Sequence, residues 1–186
     1  MFQPEIALIG GASGTGKTTT SRLLTSKYGF HHSIGTGFIR EISKNYINIK
    51  QNIYLHSFSF ETDLDKSGYE LLLEQSKELI NPIQRCIERA RREGTNLVIE
   101  GVNILPHIYD IFNPDIKIIL QNKDPDTHIK MCISESHSRR KVTNENFKNS
   151  RLIQNQLIKE ANQFKWPTME SKDVDLYIRN LLKKST

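Results

Sequence analysis

The chain has little with which to cross-link itself or to cross a bilayer. Only two of its 186 residues are cysteines, Cys86 and Cys132, and both lie in helix-like stretches without CxxC spacing or histidine partners. That argues against a disulfide framework or a zinc site and suits structural thiols in a reducing compartment. No apolar run approaches the roughly 20 residues of a membrane helix, and no signal-peptide pattern follows Met1. A soluble, cytoplasmic protein without membrane contact is therefore expected. Neither sign of charge dominates: 26 basic residues face 21 acidic ones, a net +5, which favours anionic ligands without identifying them. The basic residues are scattered through residues 91–93, 138–141 and the terminal lysines, without the aromatic interleaving of a single-strand groove. Nucleic acid is compatible with this composition but not called for by it. Internal repeats and low-complexity tracts are also missing, and the length suits one core, so a single domain over residues 1–186 is expected.

What is present is concentrated near the start. Residues 10–18 read GGASGTGKT, containing GxxxxGK[ST] from Gly11 to Thr18. The motif joins an apolar run, IALIG, to a helical pattern, which is the strand, loop, helix context it requires. Glycines let the backbone N–H groups of Gly11, Ala12, Ser13, Gly14, Thr15 and Gly16 approach phosphate oxygens, and the helix opening at Lys17, Thr18 and Thr19 adds partial positive charge. Lys17 is expected to reach the β- and γ-phosphates of ATP, and the Thr18 hydroxyl to be a ligand of Mg²⁺.

Beyond the loop, the first helix should run from about Lys17 to Tyr28 and stop at Gly29. A second strand is expected at FHHSI, then a turn at Gly35, Thr36 and Gly37. The following helix should carry Ile39, Ile42 and Tyr46 on an apolar face, with Arg40 and Lys44 together on another. Residues 48–67 look irregular. A helical stripe of Leu72, Leu79, Ile83, Ile87 and Ala90 follows, which Pro82 should kink or divide and Gly94 should stop. NLVIE and DIKIIL are short, wholly apolar strands of the kind buried on both faces. Further helices are expected near 103–111, 124–136, 147–164 and 173–184, with PTME as a last strand. This alternation predicts an α/β fold, a doubly wound sandwich of five parallel strands with helices on both faces. Together with the phosphate-loop motif it reads as a P-loop NTPase three-layer sandwich, for which the sheet order expected by fold analogy is 2-3-1-4-5, with a small lid near 137–147.

Two further features bear on chemistry. Glu100 closes an apolar strand at the place where an acid in such folds holds Mg²⁺ directly or through water, although a carboxylate there also occurs as a plain solvated strand end. The segment SESHSRRKVTNENF is polar and basic between helices, which suits either a solvated loop or a lid whose Arg139, Arg140 and Lys141 close over a transferring phosphoryl group. The triplet Asn122, Lys123, Asp124 imitates a guanine-reading NKxD, but the aspartate is one place early, and the only DxxG, Asp65 to Gly68, precedes a helix. Both are read as coincidences.

The ordered set GGASGTGKT, TGFIREI at 36–42, YLHSFSFE at 54–61, ERARREGTNLVIEGVNILP at 88–106 and ENFKNSRLIQNQL at 145–157 resembles the 2-phosphoglycerate kinases over nearly the whole chain. The resemblance implies ATP- and Mg²⁺-dependent phosphorylation of a hydroxyl on a small phosphorylated acid, with 2-phosphoglycerate going to 2,3-bisphosphoglycerate. It also implies catalytic roles for Lys17, Glu100, Arg139 and Arg140, metal binding by Thr18 and Glu100, and substrate contacts from Arg40, Asn103 and Arg151. Taken without the family, Arg40 and Arg151 read as surface charges. Three departures stand out: Gly37 where the family's pattern has an aspartate, Asn103 in place of a histidine, and His107 in place of a glycine. His56, in LHS, is a lone loop histidine. Since only three residues precede Pro4, a regulatory N-terminal segment like that of archaeal members is not expected. The alternatives left open are a nucleoside, nucleotide or polynucleotide 5′-hydroxyl kinase, and a non-catalytic ATP-binding regulatory module. The loop at Lys172 to Asp175 is a positional guess for the adenine.

Overall fold

The structure is a computed structural model, described for residues 5–47, 52–56, 68–133 and 143–184. Five strands, β1 (Ile6–Gly11), β2 (His32–Gly35), β3 (Leu97–Glu100), β4 (Ile116–Leu120) and β5 (Thr168–Met169), form one parallel sheet in the order β2-β3-β1-β4-β5. The anticipated topology is the one observed.

Period-two alternation in the central strands divides the core into two layers. On one face, Ile6 and Leu8 of β1 join Leu97 and Ile99 of β3. They pack against Leu72 of α4 (Gly68–Glu78), Ile83 and Ile87 of α5 (Ile80–Glu93), and Ile153 and Leu157 of α8 (Asn144–Gln163). On the other face, Ala7, Ile9, Val98, Ile116 and Ile118 meet Leu24 of α1 (Lys17–Lys27) and Val174 and Ile178 of α9 (Val174–Lys184). Because both faces are covered, β1 and β4 are apolar almost throughout. Parallel strands buried on both sides need that composition. The remaining helices are α2 (Thr36–Ser43), α3 (Ile53–His56), α6 (Pro106–Tyr109) and α7 (Pro125–Cys132).

Pro82 divides the long helical stripe as expected: α4 ends at Glu78, and the proline sits in the first turn of α5, where its missing N–H costs nothing. Gly94 closes α5 at φ 64°.

Other expectations are corrected. Thr36 and Gly37 are not a turn but the opening of α2, whose buried residues are Thr36, Ile39, Arg40 and Ser43. Ile42 and Tyr46 lie 62% and 84% exposed, so the apolar stripe expected there does not face the core. The helix is set by its first residue: Thr36, next to the end of β2, turns inward and takes Ile39 and Arg40 with it, one turn on. Arg40 is accordingly not a surface charge but 8% exposed. The second strand starts at His32, two residues later than FHHSI. At the far end of the lid segment, residues 144–147 belong to α8, because Thr143 caps that helix and Asn146 completes a reciprocal capping box.

Candidate active site

At the carboxyl ends of β1 and β3 the loop residues 11–16 turn into α1. Gly16 caps the helix in a left-handed conformation, φ 87°, with no side-chain cap and no acid in the first turn. The helix N-terminus therefore keeps its partial positive charge for a ligand. Gly14, at φ 75°, packs so closely under α7 that a Cβ there would stand 2.5 Å from Cys132 Sγ; one on Gly16 would stand 2.7 Å from Ser171 Cβ. Only glycine meets both demands, positive φ and close approach.

The parallel register aligns Ile9 of β1 with Glu100 of β3 and so brings that carboxylate beside the loop. The Thr18 hydroxyl donates to Glu100 Oε1 at 3.0 Å, which brings together the two residues expected to hold Mg²⁺. A hydroxyl and a carboxylate are the hard oxygen donors that this ion prefers. Among the described residues no group of three or more His, Cys, Asp or Glu could hold a metal. A single hydroxyl–carboxylate pair is compatible with an ion that takes its other ligands from phosphate and water. Lys17 Nζ donates to the Ala12 carbonyl at 2.7 Å, arching back over the loop.

Three side chains that sequence reasoning left without a role hold the loop from behind. His128 Nε2 lies 2.6 Å from the Ser13 carbonyl, Cys132 Sγ 3.4 Å and Ser150 Oγ 3.3 Å. The first two share a face of α7 at i and i+4 spacing, which is the only sequence signal that could have paired them. His128 is fully buried, edge-on to Phe147 with ring centres 5.3 Å apart. Burial holds its pKa below the usual histidine value, and the nearby Arg151 and Lys17 charges push the same way.

Arg151 Nη1 donates to the Asn122 carbonyl at 2.7 Å and lies 3.5 Å from His128 Nδ1, so this guanidinium is tied to the backbone that leaves β4. Gln154 completes that joint by exchanging hydrogen bonds with the Asn122 backbone. Asn122 thus serves as a structural hinge between β4 and α8.

On the other side of the loop, Asn103 is buried and accepts from the Thr36 hydroxyl at 3.2 Å while donating to Gln75 at 3.3 Å. Gln75 in turn donates to the Tyr54 carbonyl at 2.8 Å. This polar chain links α2, the loop after β3, α4 and α3. Arg40 follows Thr36 by one turn on the same buried face and lies 3.6 Å from Glu41. Among the described residues, nothing lies within 4 Å of where a Cβ on Gly37 would be.

The remaining residues singled out in the sequence are placed as follows. His107 engages Glu160 of α8 at 2.6 Å, and burial pushes the Glu160 carboxyl up to about 7. His56 pairs with the Ile47 carbonyl at 2.8 Å. Ser171, just before Lys172, abuts Gly16, while Asp175 is bound by Lys27 at 2.7 Å and by the Tyr28 hydroxyl at 2.6 Å. Arg139, Arg140 and Lys141 lie outside the described residues.

The fold and the loop together define a phosphate-loop protein of the three-layer α/β type. Its sequence resembles the 2-phosphoglycerate kinases. It is 36% identical over 109 residues to the 2-phosphoglycerate kinase of Thermococcus kodakarensis, across 53% of this chain and 37% of that one. Against the enzyme of the same name from Methanococcus maripaludis it is 27% identical over an alignment of 202 residues, covering 95% of this chain and 63% of the relative. The chain thus spans less than two thirds of the length of these curated relatives. No protein-family model matches it. Among solved structures, a shikimate kinase from Acinetobacter baumannii in complex with shikimate aligns with TM-score 0.58 at 14% identity, over 99% of this chain and 95% of that one. A deoxyadenosine kinase from M. mycoides with bound dATP aligns at 0.50 and 15% identity, over 97% and 98%. These two show the fold.

Proposed function

We propose that the chain is an ATP- and Mg²⁺-dependent kinase that phosphorylates a hydroxyl of a small anionic metabolite, with 2-phosphoglycerate, giving 2,3-bisphosphoglycerate, as its acceptor. The observation that carries the reading is the 3.0 Å contact of Thr18 with Glu100 at the mouth of a glycine-rich loop. It brings one hydroxyl and one carboxylate together beside the loop, which supports a metal-assisted phosphate site there. The sequence resemblance to 2-phosphoglycerate kinases supports the choice of acceptor.

In this reading the loop N–H groups and the α1 N-terminus bind the phosphates, and Lys17 swings from the Ala12 carbonyl to the β- and γ-oxygens. Mg²⁺, held by Thr18 and Glu100, would supply charge neutralisation on the triphosphate. Arg40, with Arg139 and Arg140 from the lid segment, would meet the acceptor's carboxylate and phosphate, for which bidentate guanidinium groups are the matching donors. Phosphoryl transfer depends on positioning and electrostatics more than on a strong base, so Gly37 in place of an acid does not forbid it.

A thermal-shift series tests the reading. The melting temperature should rise with ATP and Mg²⁺ and rise again when 2-phosphoglycerate is added with a non-hydrolysable ATP analogue, because a second ligand adds its own mass-action term. A response to nucleotide alone across a panel of phosphorylated acids, nucleosides and RNA 5′ ends would favour a nucleotide-binding regulatory module. A response to a nucleoside or an RNA end would move the acceptor to that class.

A further inference from the structure

Three donors from two helices converge on one carbonyl of the phosphate loop, which is more than packing requires. The Ser13 oxygen faces His128 Nε2 at 2.6 Å, Cys132 Sγ at 3.4 Å and Ser150 Oγ at 3.3 Å. A carbonyl can only accept, so the histidine's Nε2 carries the hydrogen. Its Nδ1 lies 3.5 Å from Arg151 Nη1, a group that can only donate. Both partners therefore specify the same species, a neutral imidazole with its hydrogen on Nε2. Seated with no exposure to solvent, it has no water to reorganise around it.

The consequence for the loop follows from the planar trans peptide. Fixing the Ser13 C=O toward α7 and α8 fixes the Gly14 N–H in the opposite direction, away from both helices. A nest binds an anion only when successive N–H groups point together, and a peptide free to rotate would offer its carbonyl oxygen to the phosphate instead. We propose that His128 is a positioning residue of the nucleotide site: as neutral imidazole it locks the Ser13–Gly14 peptide in its phosphate-accepting orientation, with Ser150 assisting from α8. The inference rests on the reading of the loop as a nucleotide site.

The test is the affinity of the full chain for ATP with Mg²⁺, measured by titration calorimetry at a temperature where circular dichroism shows each variant folded. His128→Leu removes the donor and should weaken ATP binding about tenfold, the value of one hydrogen bond. His128→Gln puts an amide N–H near the lost Nε2 and should recover most of that loss. Ser150→Ala should weaken binding about threefold. A merely structural histidine would lower the melting temperature in both His128 variants while leaving the folded protein's affinity alone, and that result overturns the proposal. If His128→Leu does not fold, Ser150→Ala decides: an unchanged affinity overturns the proposal and a weakened one supports it. A wild-type chain that binds no nucleotide would overturn the reading of the loop itself, and the proposal with it.

Discussion

The two sides of the phosphate loop are built to different tolerances. On the side of α7 and α8, Gly14 and Gly16 are pressed against Cys132 and Ser171, and the Ser13 carbonyl has three donors. On the side of α2, a Cβ on Gly37 would meet none of the described residues within 4 Å, and Phe38 of the same helix is 77% exposed. The first side is over-determined, as a site must be when it holds charge without reorganising. The second offers open space framed by a buried polar chain, Thr36, Asn103 and Gln75. A phosphoryl donor is the same for many kinases whereas acceptors differ. In the proposed reading the rigid side carries the shared chemistry and the open side is where specificity would be set.

Substitutions on the rigid side should do the most damage. Lys17→Ala should lower phosphoryl transfer by on the order of 10²-fold or more, since in the proposed reading it deletes the cation that moves from the Ala12 carbonyl onto the transferring phosphate. Steady-state kinetics with ATP varied would check this. Glu100→Gln should reduce turnover by about 10- to 100-fold while changing ATP affinity far less, because it weakens metal organisation and leaves the loop N–H groups in place. Unchanged turnover would remove Glu100 from the mechanism.

On the open side the expected sign reverses. Gly37→Asp restores the acid of the resembling family in empty space at a helix N-terminus, where a carboxylate is favourable. It should leave the melting temperature unchanged or higher and raise transfer to the acceptor by about tenfold. No gain in rate would mean that another group already orients the acceptor hydroxyl.

Stability should separate the sides too. Gly14→Ala forces a Cβ into a left-handed conformation 2.5 Å from Cys132 Sγ and should cost about 2 kcal/mol or more by denaturant melts. Gly37→Ala, in an open first turn, should gain about 0.5 kcal/mol.

The smallest effect expected is a pH dependence confined to the rigid side. Burial holds the folded-state pKa of His128 below its unfolded value near 6.5, so below that pH the unfolded chain binds a proton that the folded one resists. The histidine's contribution to stability should therefore fall as pH drops from 6.5 toward its folded pKa, against the opposite trend of Glu160, whose carboxyl burial pushes up to about 7 and whose contribution is lost as pH rises toward that value. The difference in urea midpoints between the wild type and His128→Gln across the range isolates the histidine limb.

The difference between the sides also explains what was legible in the sequence. The loop, the central strands and the place of Glu100 at the end of one were readable because each follows from a local pattern: a motif, a wholly apolar run, an acid closing a strand; the strand order came with the fold class. The burial of Arg40 was not, because α2 is rotated by an inward Thr36 that bonds Asn103, 67 residues away in sequence. His128, Cys132 and Ser150 were invisible as a group, since nothing in α7 or α8 announces that both helices turn a side chain onto the Ser13 carbonyl. Arg151, read as a surface charge or a substrate contact, spends one donor on the Asn122 carbonyl. Long-range polar pairing leaves no periodicity to read.

The central claim is phosphoryl transfer to a small phosphorylated acid. Its most direct test is to incubate the full chain with Mg²⁺, ATP labelled in the γ-phosphate and 2-phosphoglycerate, alongside nucleosides and RNA 5′ ends, and to separate the products. The account predicts labelled 2,3-bisphosphoglycerate, absent with Lys17→Ala. Label only on a nucleoside or an RNA end, or no transfer by a chain that still binds ATP, would contradict it.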